Sequence, residues 1–175
     1  KLNSAGFGKL LKFRGMVPFG THMKEDRFSL FLHTVSEKWT PKDKASFIKN
    51  CKLSRREVDA WKNLDAKSKT LQNTLKSAKL QKPSLVHAAL VDAPAEYIFV
   101  LLGKSPLRVV QDRIKNYLQK YLPTALEITD DEVVGAGLNP STPKGVQLKK
   151  QLIAAKLDAR PRKIPVTDPA YSPQA

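Results

Sequence analysis

The sequence is poor in the residues that staple small folds. Cys51 is the only cysteine among 175 residues, which excludes an internal disulfide and any zinc site built on cysteine. A lone thiol suits a reducing compartment. The three histidines, His22, His33 and His87, match neither H-E-x-x-H nor a closely spaced ligand pair. The longest apolar run, Tyr97 to Leu102, is far shorter than the about 20 residues of a membrane-spanning helix. No secretory apolar segment is present. Acidic residues are also scarce: 16 Asp and Glu face 31 Lys and Arg, a net charge of +15. At 41% hydrophobic residues the chain has enough apolar material for one modest core.

The charge is unevenly distributed. Residues 1–24 carry five bases and no acid, whereas residues 124–140 carry four acids and no base. Residues 1–24 also hold Gly6, Gly8, Gly15 and Gly20, the composition of a basic arm without its own core. Residues 159–175 contain Pro161, Pro165, Pro169 and Pro173, a second basic arm that cannot continue a helix. These limits place a single domain at 25–158.

Within those limits the periodicity is helical, and an all-α bundle of about seven to nine short helices is expected. Phe28, Phe31, Leu32 and Val35 follow i, i+3, i+4, i+7 spacing. Thr40-Pro41 opens a helix with Phe47 and Ile48 inward. Ser54-x-x-Glu57 is a capping box ahead of Val58, Trp61 and Leu64, and Asp65 is placed to cap the next helix, with Leu71 and Leu75. Pro83 and Pro94 mark two further starts, the second ending with Gly103 at the C′ position. Ser105-Pro106 begins a helix whose stripe is Leu107, Val110, Ile114, Tyr117, Leu118 and Tyr121, with Pro123 as its stop. Thr129-x-x-Glu132 is a second capping box, closing at Gly137. Thr142-Pro143 starts the last helix, with Val146, Leu152, Ile153 and Leu157 inward. No alternating strand pattern is present.

Catalytic signals are weak. Asp130, Asp131 and Glu132 resemble a carboxylate cluster for a metal, but their place after Thr129 is where negative charge meets a positive helix end. Gly6-x-Gly8-Lys9 lacks the spacing of a phosphate-binding loop. Cys51 has no histidine near it in sequence, and Trp39 and Trp61 occupy core positions. No catalytic residue, metal site or cofactor is assigned.

The basic residues carry more weight. On the 106–122 helix, Arg108, Asp112, Lys115 and Gln119 lie opposite the apolar stripe, flanked by Arg113 and Lys120, and Lys104 precedes them. Lys144, Lys149, Lys150 and Lys156 continue the bias on the last helix, and Arg160, Arg162 and Lys163 extend it. Excess positive charge repels itself in a compact fold unless a polyanion neutralises it, and nucleic acid is the natural partner.

Residues 126–158 also carry a pattern. It runs Ile128-Thr129-x-Asp131-x-Val133-x-x-x-Gly137-Leu138-x-Pro140, then Pro143 and Gly145, then Leu148, Leu152 and Leu157-Asp158. It resembles the C-terminal segment of the class II tRNA nucleotidyltransferase (CCA-adding) and bacterial poly(A) polymerase family, in which a Gly-[Leu/Ile]-x-Pro-Gly-Pro-x-x-Gly turn joins two helices. Here Pro143 stands three residues after Pro140 rather than two, and Ser141 replaces the family's glycine. The stretch from Lys52 to Trp61 is similar to the helical body of those enzymes. The family's catalytic head, with its Gly-Ser loop and Asp-x-Asp metal pair, has no counterpart in these residues. The resemblance therefore implies a body and tail that hold RNA by its backbone, and no catalytic residue carries over.

Two expectations follow. The first is a non-catalytic RNA-binding subunit of a larger ribonucleoprotein, for example an organellar ribosome, contacting rRNA or tRNA and neighbouring proteins but no membrane. The acid-poor first 24 residues and the start at Lys1 fit an organellar location such as the mitochondrial matrix. The alternative is the tRNA-binding C-terminal part of an active CCA-adding enzyme or poly(A) polymerase, in a bacterial cytoplasm.

Overall fold

A computed structural model describes residues 2–19, 21 and 23–159. The chain is all-helical, 71% helix without a strand among the described residues, as its periodicity predicts. The elements are α1 (Ser4–Arg14), α2 (Arg27–Val35), α3 (Pro41–Cys51), α4 (Arg55–Lys62), α5 (Leu64–Leu75), α6 (Pro83–Leu90), α7 (Ala95–Lys104), α8 (Arg108–Asn116), a π turn (Tyr117–Tyr121), α9 (Leu122–Leu126), α10 (Asp130–Gly135) and α11 (Pro143–Asp158). No single described helix is long and apolar enough to cross a membrane.

The core forms around α7. Its run Ile98-Phe99-Val100-Leu101-Leu102 is apolar on every side, and all five residues are buried. A helix of that kind needs neighbours all round. It gets them from α5, α8, α1 and α2. Leu64 and Leu75 of α5, Leu90 of α6, and Val110, Ile114 and Leu118 complete the main cluster. A second, smaller cluster joins Leu32 and Val35 of α2 to Trp61 of α4, with Trp39, Phe47, Ile48 and Leu53 packed on it. There the Trp61 indole N–H donates to Ser36 Oγ at 3.0 Å, which satisfies the one polar atom the ring buries.

At Ser54 and Thr40 the helices start as the sequence predicts. Ser54 accepts from the Glu57 amide, and the Glu57 carboxylate accepts from the Ser54 amide at 2.8 Å. Thr40 and Asp43 form a second such box. Gly137, at φ +78°, closes α10: its amide donates to the Val134 carbonyl and the Leu138 amide to that of Val133.

Several expectations are corrected. Residues 1–24 are not a detached arm: α1 buries Leu10, and Phe7, Phe13, Met16 and Val17 pack on the main core. Gly6 and Gly8 do not prevent this helix, because its apolar residues gain a partner surface on α2 and α7. Gly103 lies inside α7 rather than after it. Its role is steric, since a Cβ there would stand 3.3 Å from the Phe13 ring. Pro123 does not stop the long helix. Proline lacks the amide proton and its ring presses on the preceding turn. The chain widens into a π turn, with the Leu122 amide donating to the Tyr117 carbonyl, and helix continues to Leu126.

Thr129 makes no capping hydrogen bond, and Asp130 instead meets Lys149 Nζ at 2.7 Å. Asp65 is drawn across the fold to His33 Nε2 at 3.0 Å and caps nothing. On α2 the buried residues are Ser29, Leu30, Leu32, His33 and Val35, while Phe28 and Phe31 are exposed. Val146 is exposed as well. The C-terminal arm at 160–175 lies outside the described residues.

Gly145 in α11 sits against the backbone of the preceding turn: a Cβ would fall 2.0 Å from the Asn139 carbonyl oxygen and 2.9 Å from Pro140 Cα. Backbone cannot yield as a flexible side chain can. Gly145→Ala should therefore destabilise by about 1–3 kcal/mol, as overpacking does, and lower Tm by roughly 3–10 °C. Gly135→Ala, where a Cβ meets nothing within 4 Å, should be neutral or slightly stabilising in the same thermal melts.

Candidate nucleic-acid interface

The charge surplus is not spread evenly over the folded surface, because the carboxylates are engaged in particular places. Asp26 caps α2, and Asp43 and Glu57 sit in the capping boxes of α3 and α4. Hydrogen bonds from Thr40 and Ser54 hold those last two carboxyls below the ordinary range. Glu25 lies between Arg14 and Arg27, at 3.1 and 3.2 Å. Glu127 meets Lys156 at 2.7 Å. Asp158 accepts from the Ser84 amide and hydroxyl at 3.0 and 2.7 Å, tying the end of α11 to the start of α6. Desolvation works against that carboxylate, but the two Ser84 hydrogen bonds outweigh it and keep its pKa below the usual value.

The cations expected to bind RNA fall into three groups. The first is engaged internally. Lys104 pairs with Glu37 at 3.3 Å and stands 3.9 Å from Asp65. The bonds from His33 and the nearby lysines hold the Asp65 carboxyl low. Arg113 is the most fully engaged of them. Its guanidinium donates to the carbonyls of Leu75, Ser77 (2.9 Å) and Leu80 (2.8 Å), binding the open end of α5 and the loop after it. Its five donors match that task, and it faces inward.

A second group stays available. Arg108 is 93% exposed, with only a long 3.7 Å contact to Asp112. Lys120, Lys144 and Lys150 are exposed and Lys115 half-buried, and none has a carboxylate within ion-pair distance among the described residues. Lys149 belongs partly to each group, being paired with Asp130 but on the same turn as Lys150. The third group, Arg160, Arg162 and Lys163, lies outside the described residues.

Lys149 and Lys150 edge a groove of about 340 Å³ between α6 and α11, lined by Val91, Val146, Ile153 and Leu157. His87 lines it as well. Burial pushes its pKa below the ordinary value, so it is neutral at pH 7 and adds no charge there. Tyr117, packed 5.8 Å from His87, is pushed up to about 12 by the same burial. No family model, known protein or solved structure matches this chain. The interface therefore rests on its own geometry. In that geometry α11 packs on α6, α9 and α10, and α8 packs on α7 and α5, so the two basic helices are neighbours through the π turn and α6 rather than one continuous strip.

Sequence reasoning passed over another set of cations. Residues 38–82 carry 13 Lys and Arg against Asp43, Glu57, Asp59 and Asp65. Three of those four carboxylates are the ones held in capping boxes or by His33. The local charge count was the signal that could have found them.

Arg113 and Lys120 should separate cleanly in mutagenesis. Arg113→Met removes charged hydrogen bonds to three carbonyls and should cost about 1.5–3 kcal/mol in denaturant titrations. Lys120→Met should leave stability within about 0.5 kcal/mol.

Proposed function

We propose that the chain is a non-catalytic RNA-binding helical module that contacts the phosphate backbone of structured RNA, as a structural subunit of a larger ribonucleoprotein such as an organellar ribosome. The observation that carries this reading is the asymmetry of its charges. Most carboxylates are engaged in helix caps and ties between helices, while Arg108, Lys120, Lys144 and Lys150 face water without a close ion pair. Lysine and arginine placed this way recognise phosphate by charge and carry little sequence information. No described group of three or more His, Cys, Asp or Glu is arranged to hold a metal ion.

The alternative is that the chain is the RNA-holding C-terminal part of a nucleotidyltransferase. The Gly145–Asn139 contact favours it, because a glycine at that place is what the family's turn contains. Both readings place RNA on α11.

One experiment addresses both. Given ATP, CTP, Mg²⁺ and tRNA, the purified chain should bind tRNA yet add no nucleotide. Lys144→Glu with Lys150→Glu should weaken binding and reduce the slope of log K against log salt by roughly 0.7–0.9 per lost phosphate contact. Incorporation above a no-protein control would overturn the non-catalytic assignment. Unchanged affinity in the double variant would remove α11 from the interface.

A further inference from the structure

The segment joining α3 to α4 concentrates positive charge more tightly than either helix considered so far. Lys49, Lys52, Arg55 and Arg56 fall within eight residues, and Lys62 follows Arg55 two turns along α4. All five are exposed, and none has a carboxylate within ion-pair distance among the described residues. The connection is short and both helix starts are capped: α3 and α4 each begin with a complete capping box, and only Lys52, Leu53 and Ser54 separate them. Leu53 anchors the turn in the Trp61 cluster.

Lys52 adds a second observation. It is the only described non-glycine residue with positive φ, at +49°. It occupies the left-handed position after α3, where glycine is the ordinary choice. A lysine there is locally unfavourable, and it keeps a charge at the turn that glycine would remove.

The chemistry of the surroundings selects the partner. The large exposed apolar residues elsewhere, among them Leu11, Phe19, Val109 and Val146, have no counterpart from Glu37 to Lys82. A membrane-binding face combines cations with apolar groups that enter the acyl boundary, and a protein interface has an apolar centre. This surface has neither. Nor does it expose an aromatic ring for stacking on bases, since Trp39, Phe47 and Trp61 are turned into the second cluster.

We infer that the α3–turn–α4 hairpin is a second RNA face, which binds the phosphate backbone of a duplex and lets the module bridge two RNA segments. This rests on the RNA reading proposed above for α11. The faces are separate: α4 packs on α2 and α5, whereas α11 packs on α6, α9 and α10.

The test mixes the wild-type chain with two short RNA duplexes of arbitrary sequence, one carrying a donor and one an acceptor fluorophore. Energy transfer reports bridging, and sedimentation reports mass. Wild type should give transfer, with one protein per two duplexes. Arg55→Glu with Arg56→Glu should abolish transfer while one duplex still binds, and should reduce the salt slope by roughly 1.4–1.8 for two lost contacts. Lys52→Gly guards against misfolding as an explanation. It should raise Tm by about 1–4 °C and still weaken bridging. If wild type binds a single duplex, or if these variants bridge as well as wild type, the second face is wrong and the α11 reading stands. Binding to anionic lipid vesicles without binding to duplex would also overturn it. Failure of wild type to bind RNA at all would remove both faces.

Discussion

The burial of α7 on all sides is the constraint from which the rest of the structure follows. Five consecutive apolar residues on one helix cannot be hidden by a single partner. Fully burying a large apolar side chain contributes about 1.5–3 kcal/mol, so the chain gains most by surrounding this segment. That requirement recruits α1 from a stretch with the composition of an arm, and it sets the Phe13 ring close against Gly103. It also fixes where α5 and α8 lie, and through them the Arg113 contacts that close the end of α5. Polar surface is what remains for the outside, and there the charge imbalance becomes visible.

That imbalance has a structural cause as well as a compositional one. Helix starts and interhelical ties draw on acidic side chains, and a fold of many short helices has many of both. With so few acids in the sequence, these duties leave little to neutralise the lysines and arginines outside. Self-repulsion of uncompensated charge opposes the compact state, and a polyanion bound along it relieves that repulsion. On the proposed reading, stability and RNA binding would be coupled through the same residues on α11 and the α3–α4 turn.

Much of this was legible in the sequence, and the exceptions have a common reason. The box at Ser54 could be read because donor and acceptor lie three residues apart, but the same spacing at Thr129 forms no cap, and Asp130 beside it pairs with the distant Lys149. Gly145 stood out in the sequence as part of the turn pattern before the last helix, and the structure sets it against the Asn139 backbone. What could not be read depends on residues far away in the chain. Asp65 looks like a cap until His33 and Lys104 are beside it. Arg113 looks like a surface cation until the carbonyls of Leu75 to Leu80 are placed against it. Phe28 and Phe31 fit a helical stripe, but α2 is packed by α1, α4 and α7 from several directions, and Leu30 takes the core position. The charges from Lys49 to Arg56 were plain in the sequence; their freedom from carboxylates was not.

The central claim is that the folded chain binds RNA through phosphate contacts made by cations without close acidic partners. The most direct measurement is the affinity of the wild-type chain for two structured RNAs of unrelated sequence, between about 50 and 200 mM salt, the range over which phosphate contacts lose most affinity. The account predicts similar affinity for both, and a log–log slope of about −3 or steeper, the sum of four or more contacts at 0.7–0.9 each. A slope near zero, or a strong preference for one sequence at all salt concentrations, would contradict it.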